Sequence, residues 1–79
     1  MYFVYALKSE ERNYIYVGLT ENVTRRFEEH QTGKNKITKP YRPFKLIYSE
    51  TFSTRPEARI KEIFLKTGMG KEFLRNLKI

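Results

Sequence analysis

Few side chains in this sequence can move protons or hold phosphate. Cysteine is absent and there is one histidine, so neither a cysteine zinc site nor a histidine-rich metal site is available. Ser9, Ser49 and Ser53 sit at polar turn or strand-end positions and suggest no nucleophilic triad. Gly68-Met69-Gly70 lacks the strand-to-helix context of a phosphate loop and reads as a helix break. What remains is a set of tyrosines, one arginine–histidine pair and a few carboxylates. Arg26 and His30 are four residues apart and share one helix face. Arginine grips phosphate through two parallel N–H donors, and histidine can orient a phosphate or pass a proton near neutral pH. A surface cation beside a partly buried histidine at a helix C-terminus accounts for the same pair. Arg25 competes with Arg26 but points about 100° away around the helix.

Glu62 lies mid-helix, four residues from Lys66. An ion pair with Lys66 would contribute only ~0.3–0.5 kcal/mol. The alternative role is a lone metal ligand, because one carboxylate can hold Mg²⁺ when water and substrate phosphate complete the octahedron. Glu57 is explained as a helix cap, and Glu28 and Glu29 as a solvated helix face.

The charge suggests what meets these groups. Sixteen Lys and Arg against nine Asp and Glu give +7, an excess that attracts polyanions. No acid occurs from Gln31 to Ser49, where Lys34, Lys36, Lys39, Arg42 and Lys45 supply five cations. A solubilising surface is the plain alternative. Charge does not distinguish DNA from RNA.

The elements that position these residues belong to one domain, residues 1–79. A second core would need roughly 100 more residues. Aromatics at 15% fit a small packed domain rather than a disordered chain. Residues 2–8 and 14–19 are aromatic and β-branched and read as an antiparallel hairpin. A loop over Ser9–Arg12 would pair Lys8 with Asn13 and Tyr5 with Tyr16, placing two phenols side by side. A helix should run from Val23 to Thr32, capped by Asn22 and ended by Gly33, with Val23, Phe27 and His30 or Gln31 as its buried stripe. A basic loop with Pro40 and Pro43 leads to a third strand over Phe44–Phe52. Thr54 and Glu57 form a capping box for a second helix that buries Ile60, Ile63 and Phe64. A short helix from Lys71 to Leu77 buries Phe73, Leu74 and Leu77. The order ββαβαα gives an α+β fold: a small three-stranded, mainly antiparallel sheet flanked by helices.

In that order the residues resemble the GIY-YIG nuclease domain, in particular its small single-domain bacterial members. The resemblance rests on Phe3-Val4-Tyr5 in the first strand and Tyr16-Val17-Gly18 in the second. Arg26 and His30 follow Gly18 by eight and twelve residues, and then come Pro43-Phe44 and Ala58, Glu62 and Lys66. It covers essentially the whole chain. Phe3-Val4-Tyr5 keeps only the tyrosine of the family's first motif, and the family's late asparagine has only Asn76 as a nearby candidate.

The resemblance implies a metal-dependent endonuclease hydrolysing DNA phosphodiester bonds. Tyr5 and Tyr16 would be the site phenols, with Tyr5 the preferred general base once a metal and an arginine lower its pKa from ~10. Arg26 would stabilise charge on the pentacovalent phosphate, and His30 would assist near the attacking or leaving oxygen. Glu62 would hold one Mg²⁺ or Mn²⁺. Gly18 would permit a close backbone approach, and the basic loop would grip backbone phosphates without reading bases. This reading needs Tyr5, Tyr16, Arg26 and Glu62 in one cleft.

A non-catalytic nucleic-acid-binding module of the same fold needs only the basic patch, with Tyr41 and Tyr48 exposed. A protein-interaction module with an acidic partner is the third reading. Specific DNA interfaces bury ~1,000–2,500 Å² of protein, so either the substrate is read by shape or a homodimer or partner protein supplies specificity. No apolar run approaches the ~20 residues of a membrane span. Strand-like sequence follows Met1 directly, so cytoplasmic residence without a signal peptide is expected.

Overall fold

The computed structural model describes residues 1–77. The elements are β1 (Tyr2–Ser9), β2 (Ile15–Thr20), α1 (Val23–Gln31), a 3₁₀ turn (Lys39–Tyr41), β3 (Phe44–Phe52), α2 (Arg55–Leu65) and α3 (Gly68–Arg75). The strands form one antiparallel sheet in the order β2-β1-β3. Val4, Tyr5, Ala6 and Leu7 are all fully buried, as a central strand covered on both faces requires. Alternation places Val4 and Ala6, with Ile15 and Val17, under Ala58, Leu65 and Leu74 of α2 and α3. Tyr5 and Leu7 join Phe44 on the opposite face, packed by Tyr14, Tyr16, Val23, Phe27 and Tyr41. No described helix is long and apolar enough to cross a membrane.

The hairpin register differs from the expected one by two residues. Tyr5 pairs with Gly18, not Tyr16, and Lys8 pairs with Ile15, not Asn13. Ser9 is the cause. Its N–H donates to the Tyr14 carbonyl, which carries the ladder one residue further and closes the turn over residues 10–13. Its hydroxyl oxygen accepts from the Glu11 and Arg12 amides. Because side chains alternate with period two, this offset leaves Tyr5 and Tyr16 on one face. On the other side of β1 the pairing jumps from Ala6–Tyr48 to Leu7–Leu46, a bulge in β3.

α1 begins as expected, with the Asn22 side chain accepting from the Arg25 amide, and Gly33 beyond its end takes φ +81°. In α2, Thr54 accepts from the Glu57 amide, but Glu57 takes the Thr54 hydroxyl rather than the N-cap amide. The buried stripe of α2 also differs. Ile60, Ile63 and Phe64 are exposed at 70%, 50% and 40%, whereas Ala58, Glu62 and Leu65 face the sheet. The small Ala58 lets the helix approach β1 closely, and the stripe it selects contains a carboxylate that apolar periodicity places outside.

α3 starts earlier than expected. Thr67 caps it, and Gly68 and Gly70 lie in its first turn instead of breaking the chain. A Cβ on Gly70 would stand 2.1 Å from the Phe64 carbonyl oxygen, so glycine there lets α3 cross the end of α2. Leu74 is buried, Leu77 is partly buried, and Phe73 is half-exposed with its edge against Tyr48.

Candidate functional site

β1, β2 and α1 bring Tyr5, Tyr16, Gly18 and His30 together. The Tyr5 ring lies over Gly18, where a Cβ would meet its hydroxyl oxygen at 2.6 Å. The Tyr5 and Tyr16 ring centroids are 6.2 Å apart, and Tyr16 lies 4.6 Å from the His30 ring. Tyr5 and His30 are fully buried, while Tyr16 is half-buried. The Tyr5 hydroxyl is 3.2 Å from His30 Nε2, and His30 Nδ1 is 2.8 Å from Thr38 Oγ1. Thr38 in turn donates to the Asn35 carbonyl. The tautomer protonated on Nδ1 satisfies this chain: Nδ1–H donates to Thr38, and Nε2 accepts from the Tyr5 hydroxyl.

The electrostatics agree with a neutral Tyr5–His30 pair. Burial and then the neighbouring Tyr16 push the Tyr5 phenol up to about 12, against a downward pull from Arg26. Burial and the Arg26 charge hold His30 below its ordinary value. Tyr5 therefore keeps its proton at neutral pH, contrary to the lowered value a resting general base needs. Arg26 is two-thirds buried and its Nη1 donates to Glu29 at 2.7 Å. Burial alone would lower Arg26, but Tyr5 and Glu29 together raise it. Glu29, expected on a solvated face, bridges Arg26 and Arg25.

α2 places Glu62 with the opposite hydrophobic layer, under the face that carries Val4 and Val17. It does not share a hydrogen bond with the tyrosines. Its Oε1 accepts from Arg59 at 2.7 Å and its Oε2 from Lys66 at 3.1 Å. Burial would raise its pKa, yet those bonds and charges win and hold the carboxyl low and ionised. Glu62 opens into a cleft of ≈ 430 Å³ with Leu19, Arg55, Pro56 and Arg59. Leu19 adjoins Gly18 on β2, and β2 is a sheet edge. The tyrosine face and the Glu62 cleft thus meet β2 at neighbouring residues but from opposite faces of the sheet, so the single cleft expected to hold Tyr5, Tyr16, Arg26 and Glu62 is not formed; the two groups adjoin only across the β2 edge.

A divalent cation fits this donor set in one way only. No group of three or more His, Cys, Asp or Glu converges among the described residues. Glu62 is one ionised carboxylate, which suits a hard cation that keeps water and takes the rest of its oxygens from substrate.

The basic loop divides by role. Lys34, Lys36, Lys39 and Lys45 are exposed. Arg42 is half-buried, packs over Gly33 and donates to the Lys39 carbonyl at 3.1 Å, which gives it a structural duty. Tyr41 stacks on Tyr14 with centroids 3.9 Å apart, and Tyr48 packs against Phe73 and Lys61, so neither presents a free aromatic face as expected. Asn76 is exposed and caps the end of α3. Sequence reasoning missed Thr38, Arg55 and Arg59. Nothing marks Thr38 in a polar loop, but the i,i+3 spacing of Arg59 and Glu62 was a readable signal.

Comparison with known proteins shows what the chain as a whole is similar to. The family model described as the GIY-YIG catalytic domain matches residues 1–76. A UPF0213 protein of Staphylococcus haemolyticus is 37% identical over 98% of this chain and 94% of its own length. A UPF0213 protein of Listeria welshimeri is 46% identical over 82% of this chain and 72% of its own. The solution NMR structure of a UPF0213 protein from Bacillus halodurans aligns with TM-score 0.58 and 34% identity, over 99% of this chain and 86% of that one.

Proposed function

Because this chain belongs to the GIY-YIG catalytic-domain family, we propose that it is an endonuclease that hydrolyses DNA phosphodiester bonds. The observation that carries this reading is the clustering of Tyr5, Tyr16, Gly18 and His30, with Arg26, beside a β2 edge that also borders the Glu62 cleft. Glu62 would hold one Mg²⁺ or Mn²⁺, which supplies Lewis acidity to the scissile phosphate. Arg26 carries a fixed positive charge to the phosphoryl oxygens as negative charge builds there. The phenol pair supplies the base. Tyr5 fills that role only when positive charge nears its oxygen and offsets the burial that raises it. Tyr16 is the phenol that solvent reaches. His30 orients Tyr5 through Nε2, and Thr38 fixes the imidazole tautomer. The exposed lysines of the loop hold backbone phosphates, so their contribution is independent of sequence.

A non-catalytic binding module is the second reading. It is favoured by the ion pairs that occupy both Glu62 oxygens. Incubation with plasmid, branched and single-stranded DNA in Mg²⁺ or Mn²⁺ separates the two. Metal-dependent cleavage lost in Arg26→Ala, with DNA binding retained, supports the nuclease. Salt-sensitive binding without cleavage on any substrate selects the module.

A further inference from the structure

The cleft beside Glu62 holds more positive charge than its carboxylate uses. Arg55 and Arg59, four residues apart on one face of α2, line it with Leu19 and Pro56. Lys66 already compensates Glu62 from Oε2. Arg59 reaches Oε1 through a single Nη1, and its side chain is 58% exposed, so other donors of the guanidinium are available. Arg55 has no carboxylate partner among the described residues. Two arginines at one wall of a cleft form a geometry suited to a phosphodiester, whose oxygens accept paired N–H donors. The plain alternative is a helix-surface ion pair and a solvated cation, neither of which would matter to a ligand.

We propose that Arg55 and Arg59 form a phosphate-binding pair that seats the backbone of the bound strand in the Glu62 cleft, Arg59 using the guanidinium donors that Glu62 leaves free. The identity of the strand rests on the nuclease reading, while the pair itself does not require cleavage. Apolar Leu19 and Pro56 offer no hydrogen bond to a base edge, and with both arginines on phosphate oxygens the cleft binds backbone and leaves sequence unread.

The test measures binding in EDTA, where cleavage plays no part. Fluorescence anisotropy with a labelled DNA duplex is followed over a salt series for wild type, Arg55→Ala, Arg59→Gln and the control Arg75→Ala. Arg75 lies on α3, outside the cleft, paired with Glu72. Each cleft substitution should lower the slope of log K against log salt by about 0.9, which is about eightfold in affinity between 1 M and 0.1 M salt. The loss should be the same for unrelated duplex sequences. Slopes unchanged from wild type in both cleft variants, or no binding by wild type, would overturn the proposal. Reduced slopes in a protein that cleaves nothing would leave the pair standing and remove the nuclease reading instead.

Discussion

Replacing Gly18 with alanine probes the tightest contact in the site. A Cβ at this position would stand 2.6 Å from the Tyr5 hydroxyl oxygen, 2.7 Å from Cζ and 2.9 Å from Cε1. Comfortable separations between such atoms are about 3.5 Å, so the overlap is roughly 0.6–0.9 Å. The ring cannot swing clear. It is fully buried, its centroid lies 6.2 Å from that of Tyr16, and its hydroxyl is held by His30 Nε2 at 3.2 Å. Overpacking of this kind costs about 1–3 kcal/mol, of which the lower entropy of the unfolded alanine chain offsets about 0.4–1 kcal/mol. The net loss, up to about 2.6 kcal/mol, lowers Tm by up to about 20 °C in a domain of this size. Thermal unfolding followed by circular dichroism reads the shift, and the imidazole NMR signals of His30 should move with the displaced phenol. A Tm within about 2 °C of wild type, with unmoved His30 signals, would mean that the Tyr5 ring does not cover Gly18.

Other perturbations separate the roles assigned above. Burial and Arg26 hold His30 below its ordinary pKa of 6.5, so between the folded and unfolded values the unfolded chain binds more protons. Stability should therefore be complete above about pH 6.5 and fall as the pH drops through the depressed folded value. Tm measured from pH 7.5 to 5 should lose that slope in His30→Gln, and identical slopes would contradict the assignment. On α2, Leu65→Ala should cost about 2–5 kcal/mol by denaturant unfolding, because Leu65 is fully buried. Ile60→Ser, at a position 70% exposed, should stay within about 0.5 kcal/mol. The reverse order would restore the helix face expected from apolar periodicity. Tyr5→Phe and Tyr16→Phe, compared in single-turnover cleavage, identify the base: the essential phenol loses the chemical step, and equal small losses in both would exclude a phenolate base.

Local chemistry made much of the fold legible. Asn22 and Thr54 cap helices because a short side-chain oxygen meets a free amide, and Gly33 ends α1 because φ +81° suits glycine. The third strand, Phe44–Phe52, keeps the bounds its composition suggested. Tertiary competition decided the rest. The hairpin register turned on one serine whose hydroxyl organises the turn, and the even offset happened to preserve the phenol face. The inward stripe of α2 turned on the small Ala58 and on a glutamate compensated by Arg59 and Lys66, a combination hydrophobicity cannot select. Arg26 and His30 do share a face, but His30 is sealed by Tyr5 and Thr38, and a contact to a loop residue eight positions away leaves no periodic signal.

Glu62→Gln isolates the role of the carboxylate. The amide keeps the shape of the side chain and removes the charge a cation needs. With wild type and variant at equal concentration, DNA binding in EDTA should be equal within about threefold, and cleavage in Mg²⁺ should fall by at least about 100-fold, on the order of the several kcal/mol that metal-borne stabilisation of the transition state contributes. Cleavage by the variant at the wild-type rate would contradict the account, because the chemistry would then lie elsewhere on the chain.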